Sequence, residues 1–301
     1  MTSKNLLVEL FVEELPPKAL KKLGEAFAAG IADGLQAQGL VAPDAAVTSF
    51  ATPRRLAVHV AGVAERAADR QLSQKLMPVA VALDGSGQPT PALLKKLAAL
   101  GAADTPVSQL QRQGEGKAQT LYLDSRVHGA TLADGLQQAL ADTLARLPIP
   151  KVMSYQLADG WSSVQFVRPA HGLVALHGEA VVPVRALGLE AGRDTHGHRF
   201  EAAVSPVVIT HADDYAATLA RDGAVIASFA ERKAEIARQL AAAAAKVGHG
   251  VRAIEDDALL DEVTALVERP NVLVCEFEKQ FLDVPQECLI LTMKANQKYF
   301  P

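Results

Sequence analysis

Alanine dominates the apolar content of this chain, as in the run Ala241–Ala245, while aromatic residues supply only 5%. Alanine has the highest helix propensity, and its small side chain lets helices approach closely. The composition therefore favours packed helices and disfavours an extended all-β architecture. The 301 residues are 49% hydrophobic and 21% charged, close to globular averages. A folded chain with a real core follows, and at about 150 residues per domain it divides into two domains or forms one large one. Thirty Lys and Arg against 34 Asp and Glu give a formal charge of -4. No global positive field draws nucleic acid to such a chain, so any RNA contact has to be local.

Two cysteines, Cys275 and Cys288, are too few for a disulfide framework and too far apart for a CxxC pair. Reduced thiols in apolar surroundings are expected. The N-terminal run Leu6-Leu7-Val8 meets Glu9, with Glu13 and Glu14 soon after, which breaks any signal-peptide core. Nowhere do 18 apolar residues run uninterrupted. The expectation is a cytoplasmic chain with no membrane partner.

Asn5 to Phe11 reads as a buried strand. Glu13-Glu14-Leu15-Pro16-Pro17 breaks it and opens a helix to about Gln38, with the two acids as capping and dipole partners and Gly39 as the stop. Lys18, Lys21 and Lys22 share one face of that helix; Leu20, Leu23, Phe27 and Ile31 mark the other. Strands are expected at Val47–Phe50 and Leu56–Val63, joined by Thr52-Pro53-Arg54-Arg55. Further along come turns at Asp84–Gly87 and Gly114–Lys117, a helix at Pro91–Leu100, a strand at Thr120–Val127 and a helix at Leu132–Leu147. Pro148-Ile149-Pro150 ends that helix as a stiff link and suggests a boundary between residues 1–148 and 149–301, unless the two form one interleaved module. Beyond it are a hairpin around His177-Gly178-Glu179, helices at Ala212–Arg221, Phe229–Val247 and Asp256–Val267, and a strand at Val272–Phe277. The fold class is α+β, with mixed sheets and packed helices.

Neither GxGxxG nor GxxxxGK[ST] occurs, so no nucleotide cradle is evident. Thr195-His196-Gly197-His198 and Lys151-Val152-Met153-Ser154 superficially suggest the paired nucleotide-binding signatures of class I synthetases, but they stand in the wrong order and match neither string. His196 and His198 alone are two ligands, not a metal site; a third would have to come from His171, His177, Asp194 or His211, so no metal is assigned. With Arg193 and Arg199 the same loop is a cationic patch suited to RNA phosphate, although a solvated loop is the commoner outcome for such clusters. Arg54 and Arg55 offer two planar forks for phosphate oxygens, but neighbours on a strand alternate faces, so one of them is free to pair with a carboxylate instead. No GxSxG elbow appears and no catalytic residue is assigned.

Several segments carry a more specific signal. Leu7-Val8-Glu9, Glu13 to Leu20 and Thr52-Pro53-Arg54-Arg55-Leu56-Ala57 closely resemble the start of the β subunit of bacterial heterotetrameric glycyl-tRNA synthetase. Leu147 to Met153, Phe166-Val167-Arg168-Pro169-Ala170-His171, Gly197-His198-Arg199-Phe200 and Leu291 to Pro301 look like that family's segments in the same order. The family's chains continue past the Lys-Tyr-Phe-Pro segment, so this chain resembles an N-terminal portion, similar to the part likened to the B3/B4 module of the phenylalanine enzyme's β subunit.

The resemblance implies a non-catalytic region that engages glycine tRNA and assembles with an α subunit as α2β2. It places ATP and Mg with the α subunit and leaves this chain without a cofactor. It also implies RNA contact through some of Arg54, Arg55, Arg193, Arg199, Lys294 and Lys298. Editing is not expected, because every competing amino acid is larger than glycine and must overpack its pocket. The alternatives are a stand-alone RNA- or protein-binding scaffold and a hydrolase using the His196 and His198 loop.

Overall fold

The computed structural model describes residues 2–114, 119–248 and 250–301. They fall into two compact units, Arg66–Ala130 and the remainder. In chain order the elements are β1 (Ser3–Val12), α1 (Pro17–Ala37), β2 (Val47–Thr52), β3 (Arg55–Ala64), β4 (Arg70–Pro78), α2 (Val79–Ala82), α3 (Pro91–Ala99), β5 (Gln111–Gln113), β6 (Thr120–Val127) and α4 (Leu132–Arg146). There follow β7 (Met153–Gln156), β8 (Ser163–Phe166), β9 (Ala170–His177), β10 (Ala180–Val181), β11 (Arg185–Ala186), β12 (Leu189–Glu190), β13 (Asp194–Thr195), β14 (Val207–Val208), α5 (Tyr215–Arg221), α6 (Phe229–Val247), α7 (Asp257–Thr264) and α8 (Gln286–Thr292).

The larger unit is built on an antiparallel sheet in the order β10-β9-β1-β3-β2. Its central strand, β1, is buried along Leu6–Val12, as the apolar run Leu6-Leu7-Val8 demands. Side chains alternate between faces. Leu10, Leu56 and Ala51 stand in register on one face, and Gly24 of α1 approaches Ala51 there. On the other face Leu7, Phe50, Ala57, Val174 and Leu176 join Val207, Ile209, Tyr215 and Leu219 in one core cluster. The sheet is thus covered by helix α1 on one side and by the segment around β14 and α5 on the other.

Helix α1 packs on α4 through glycine. A Cβ on Gly30 would come within 2.6 Å of Thr143 Oγ1, and one on Gly34 within 2.6 Å of Ala139 Cβ. This is the close approach that the small-residue composition favoured. The helix ends as expected, with Gln38 at its C-cap and Gly39 in the left-handed region (φ 75°). Leu40 N–H donates to Leu35 O at 3.0 Å across that turn. Thr131, Ser228 and Asp256 cap α4, α6 and α7 through their side chains.

The smaller unit has its own sheet, β4-β6-β5, and a core of Ala82, Leu93, Leu97, Leu110, Leu121 and Leu123. Asp69 closes its ends by accepting from Gly129 N–H (2.9 Å) and Arg126 Nε (2.9 Å). Those bonds, with His128 beside it, hold the Asp69 carboxyl below its usual range.

Several expectations need revision. The Pro148-Ile149-Pro150 link lies inside the larger unit, because β9 beyond it pairs with β1 before it over Leu6–Val12. Val272–Phe277 is not a strand. Gln239 of α6 takes the Val272 N–H at 2.8 Å, and Leu273, Val274 and Phe277 stay exposed. Glu13 and Glu14 do not cap α1, since Pro16 is the N-cap and no acid lies in the first turn; two prolines occupy the positions their fixed φ suits and displace the acids. Both cysteines are exposed, rather than in apolar surroundings. The expected Gly114–Lys117 turn lies, beyond Gly114, outside the described residues. Strands β4, β5, β7 and β8 went unanticipated, being short or largely solvent-exposed and therefore without an apolar alternation.

Gly34→Ala gives a direct test of the α1–α4 contact. Alanine ordinarily gains about 1 kcal/mol over glycine in a helix, but here overpacking is expected to win, with a net loss of about 1–3 kcal/mol. Urea denaturation measures it, and a midpoint displaced to higher urea would show that the helices yield freely.

Candidate functional site

The second face of the sheet carries a polar cluster where an apolar core would be ordinary. Glu9, fully buried on β1, stands between Ala57 and Val174 on the neighbouring strands. Thr195 Oγ1 and Tyr215 Oη each donate to its carboxylate, and Arg55 Nε lies 3.5 Å from Oε2. Arg55 shares that face because it pairs in register with Phe11, two residues beyond Glu9. Its guanidinium sits 5.6 Å from the Phe11 ring centroid and donates to His196 O. Burial pushes the Tyr215 phenol well above its ordinary pKa, and the Glu9 charge adds to the effect.

Arg54, one residue earlier in the β2–β3 turn, has a different acid. It pairs with Glu268 (Nη2 to Oε2, 2.7 Å) and donates to Gly197 O at 2.8 Å. Two adjacent arginines, each neutralised by its own buried carboxylate, therefore grip successive carbonyls of the His196-Gly197-His198 loop. Gly197 is packed so tightly that a Cβ would lie 2.4 Å from Gly223 O. The loop is held from both sides.

What it presents is a cleft of about 440 Å³ bordered by Phe11, Glu13, His171 and residues 196–200. Glu13 Oε1 lies 3.1 Å from His171 Nε2, and its Oε2 lies 3.6 Å from Arg199 Nη2. His196 packs on Phe11 with ring centroids 5.1 Å apart. Phe200, on the rim, is 87% exposed. Chemically this is a mixed aromatic and polar groove with one exposed guanidinium, suited to binding rather than to bond making. Among the described residues no group of three or more His, Cys, Asp or Glu side chains is placed to hold a metal ion.

The six candidate phosphate contacts are not brought together. Arg54 and Arg55 are turned inward, where Arg55 has no exposure and Arg54 only 8%, and the carboxylates of Glu268 and Glu9 stand beside them. Arg199 is exposed at the cleft rim, whereas Arg193 is half-buried and donates to Glu179 O at 3.0 Å. Lys294 pairs with Asp256, and Lys298 with Glu262 at 3.0 Å, beside a separate groove along α1 and α7. Sequence reading missed Glu9, Thr195, Tyr215 and Glu268 as one assembly with the arginines. The only hint was a carboxylate inside an otherwise apolar strand. It also missed Arg232 of α6, which is buried and donates to Thr264 O, Ile226 O and Ala51 O; burial lowers its pKa to about 10.

The family described as glycyl-tRNA synthetase beta subunit matches residues 6–301. This chain belongs to that family. It is 71% identical over 303 residues to the glycine–tRNA ligase beta subunit of Delftia acidovorans, covering 100% of this chain and 43% of the relative. The corresponding subunit of Leptothrix cholodnii is 71% identical over 301 residues, with 100% and 42% covered. That of Janthinobacterium sp. is 64% identical over 301 residues, with 100% and 43% covered. The chain thus spans less than half the length of these curated relatives.

Glu9→Gln removes the charge opposite Arg55 and is expected to cost about 3–5 kcal/mol in chemical denaturation, the usual effect of stranding a buried ion. Loss of under 1 kcal/mol would show that Arg55 is neutralised elsewhere. Tyr215 gives a pH signature. Its folded pKa is raised, so the folded state keeps a proton that the unfolded state releases above about pH 10. The stability advantage of the parent over Tyr215→Phe is expected to hold below that pH and to shrink above it, by up to about 1.4 kcal/mol per pH unit.

Proposed function

We propose that this chain acts as the N-terminal region of the β subunit of a glycine–tRNA ligase, supporting tRNA engagement and subunit assembly in the cytoplasm. The α subunit of an α2β2 assembly then performs ATP-dependent glycyl-adenylate formation and transfer, using ATP and Mg that this chain does not bind. The observation that carries the reading is 71% identity, over the whole chain, to a subunit bearing that name. The lack of a phosphate-cradling motif supports the division of labour. We read the sheet with its covering segments as the counterpart of the B3/B4 module, retained for shape and tRNA contact rather than editing.

Within this reading Arg199 is the leading phosphate contact, with Phe200 beside it as a surface on which an unpaired base stacks. Arg193 is a secondary one. Lys294 and Lys298 hold partly exposed ion pairs, worth about 0–1 kcal/mol each, so a phosphate can displace the acid. Arg54 and Arg55 act as positioning residues: they fix the loop that presents Arg199.

The isolated chain is expected to catalyse no ATP–pyrophosphate exchange, and exchange by it would overturn the reading. In a glycine tRNA titration Arg199→Ala is expected to reduce the log–log salt slope by about one, the signature of one lost phosphate contact. An unchanged slope would remove Arg199 from the interface.

A further inference from the structure

The chain has a single tryptophan, Trp161, and it is 93% exposed. A tryptophan buries about 150–250 Å² when it finds a partner, so leaving it in water forgoes one of the largest apolar contacts the chain can make. Its backbone is held in place. Trp161 lies in the turn between β7 and β8, which pair in register from Met153↔Phe166 to Gln156↔Ser163. Asp159 Oδ1 accepts from the N–H groups of Trp161 (2.9 Å) and Ser162 (2.8 Å). Leu157 N–H donates to Ser162 O at 2.8 Å, and Gln156 Nε2 donates to Gly160 O.

The hairpin's other face is fastened to the rest of the unit. Tyr155 Oη accepts from Ala170 N–H at 3.1 Å. Leu157 lies over Gly188, where a Cβ would come within 2.4 Å of Leu157 Cδ1. Phe166 is buried. Little backbone freedom is left to lose on binding at this turn, and such pre-organisation lowers the ordering cost at an anchor residue.

The surroundings choose between partners. Surfaces that bind single-stranded nucleic acid combine an aromatic with cations, yet residues 152–167 contain no Lys or Arg. The nearest charge in the turn is Asp159, whose carboxyl is held below its usual range by hydrogen bonds from Ser162 and Trp161 and so stays ionised at neutral pH. A fixed anion two residues away repels phosphate. An apolar ring on an arm that carries no cation is instead the chemistry of a protein–protein hot spot, where tryptophan is enriched.

We propose that Trp161 anchors a protein interface, its indole entering an apolar pocket whose rim carries hydrogen-bond donors that meet Asp159. Resting on the reading above, the partner is the α subunit of the ligase. Incorporating 5-fluorotryptophan in this chain yields one fluorine resonance, that of Trp161. Unlabelled α subunit is expected to shift or broaden it and to shield it from a soluble paramagnetic reagent, while glycine tRNA leaves it unchanged. Trp161→Ala is expected to weaken association with the α subunit at least tenfold and Trp161→Phe less, with both variants melting at the parent temperature because the ring contacts little in the free chain. If the α subunit co-elutes with the chain and the resonance does not move, the inference fails while the proposed function stands. If the α subunit does not associate, both the inference and the assembly role fail. A resonance that responds to tRNA instead would overturn the protein-anchor assignment in favour of base stacking.

Discussion

The buried pair of Glu9 and Arg55 organises the larger unit. An anion in the centre of a sheet is tolerated only when it is paired and hydrogen-bonded, and Glu9 obtains its partners from three separate places: Arg55 on β3, Thr195 on β13 and Tyr215 at the start of α5. Each of those segments is therefore constrained to one position over the sheet. The apolar residues around them, Leu7, Ala57 and Val174 with Val207 and Leu219, supply the burial. They do not by themselves specify which residue of the covering layer faces which strand.

The same logic extends along the β2–β3 turn. Adjacent residues at a strand end point in different directions, so Arg54 and Arg55 reach different acids, Glu268 and Glu9, yet both end on carbonyls of the 196–197 loop. Arg232 repeats the device from α6, where one guanidinium satisfies carbonyls at Thr264, Ile226 and Ala51. Three arginines thus join chain ends and loops that no regular secondary structure would connect. A cost follows from this arrangement. Two of the Arg55 nitrogens, Nε and Nη1, have no hydrogen-bond partner among the described residues, so that cation relies on its Nη2 bond to His196 O, the Glu9 charge and the Phe11 ring.

This accounts for how the candidate residues divide. Arginine suits bidentate recognition of phosphate and of carboxylate alike, so the pattern Thr52-Pro53-Arg54-Arg55 is compatible with an RNA contact or with an internal clamp. In the fold the clamp prevails for both residues, and the exposed cation at the cleft belongs to Arg199. Sequence neighbours in the His196–Phe200 segment are similarly separated: Gly197 is buried under Gly223, while Phe200 is left in solvent.

Local order was legible in the residues themselves. The apolar run from Leu6, the paired prolines at the start of α1 and the glycine after it act through neighbouring backbone, so they mark β1 and α1 within a residue or two. The family was legible too, because its motifs are contiguous strings. Tertiary structure alone decided that β9 returns to lie beside β1 across the Pro148–Pro150 link, that Val272–Phe277 finds no strand to pair with, and that Glu9 and Glu268 capture the two arginines. The physical reason is range. Capping, turn and helix propensities are set within a few residues, whereas strand pairing and the neutralisation of a buried charge depend on partners up to 214 positions away, whose proximity exists only once the sheet has formed.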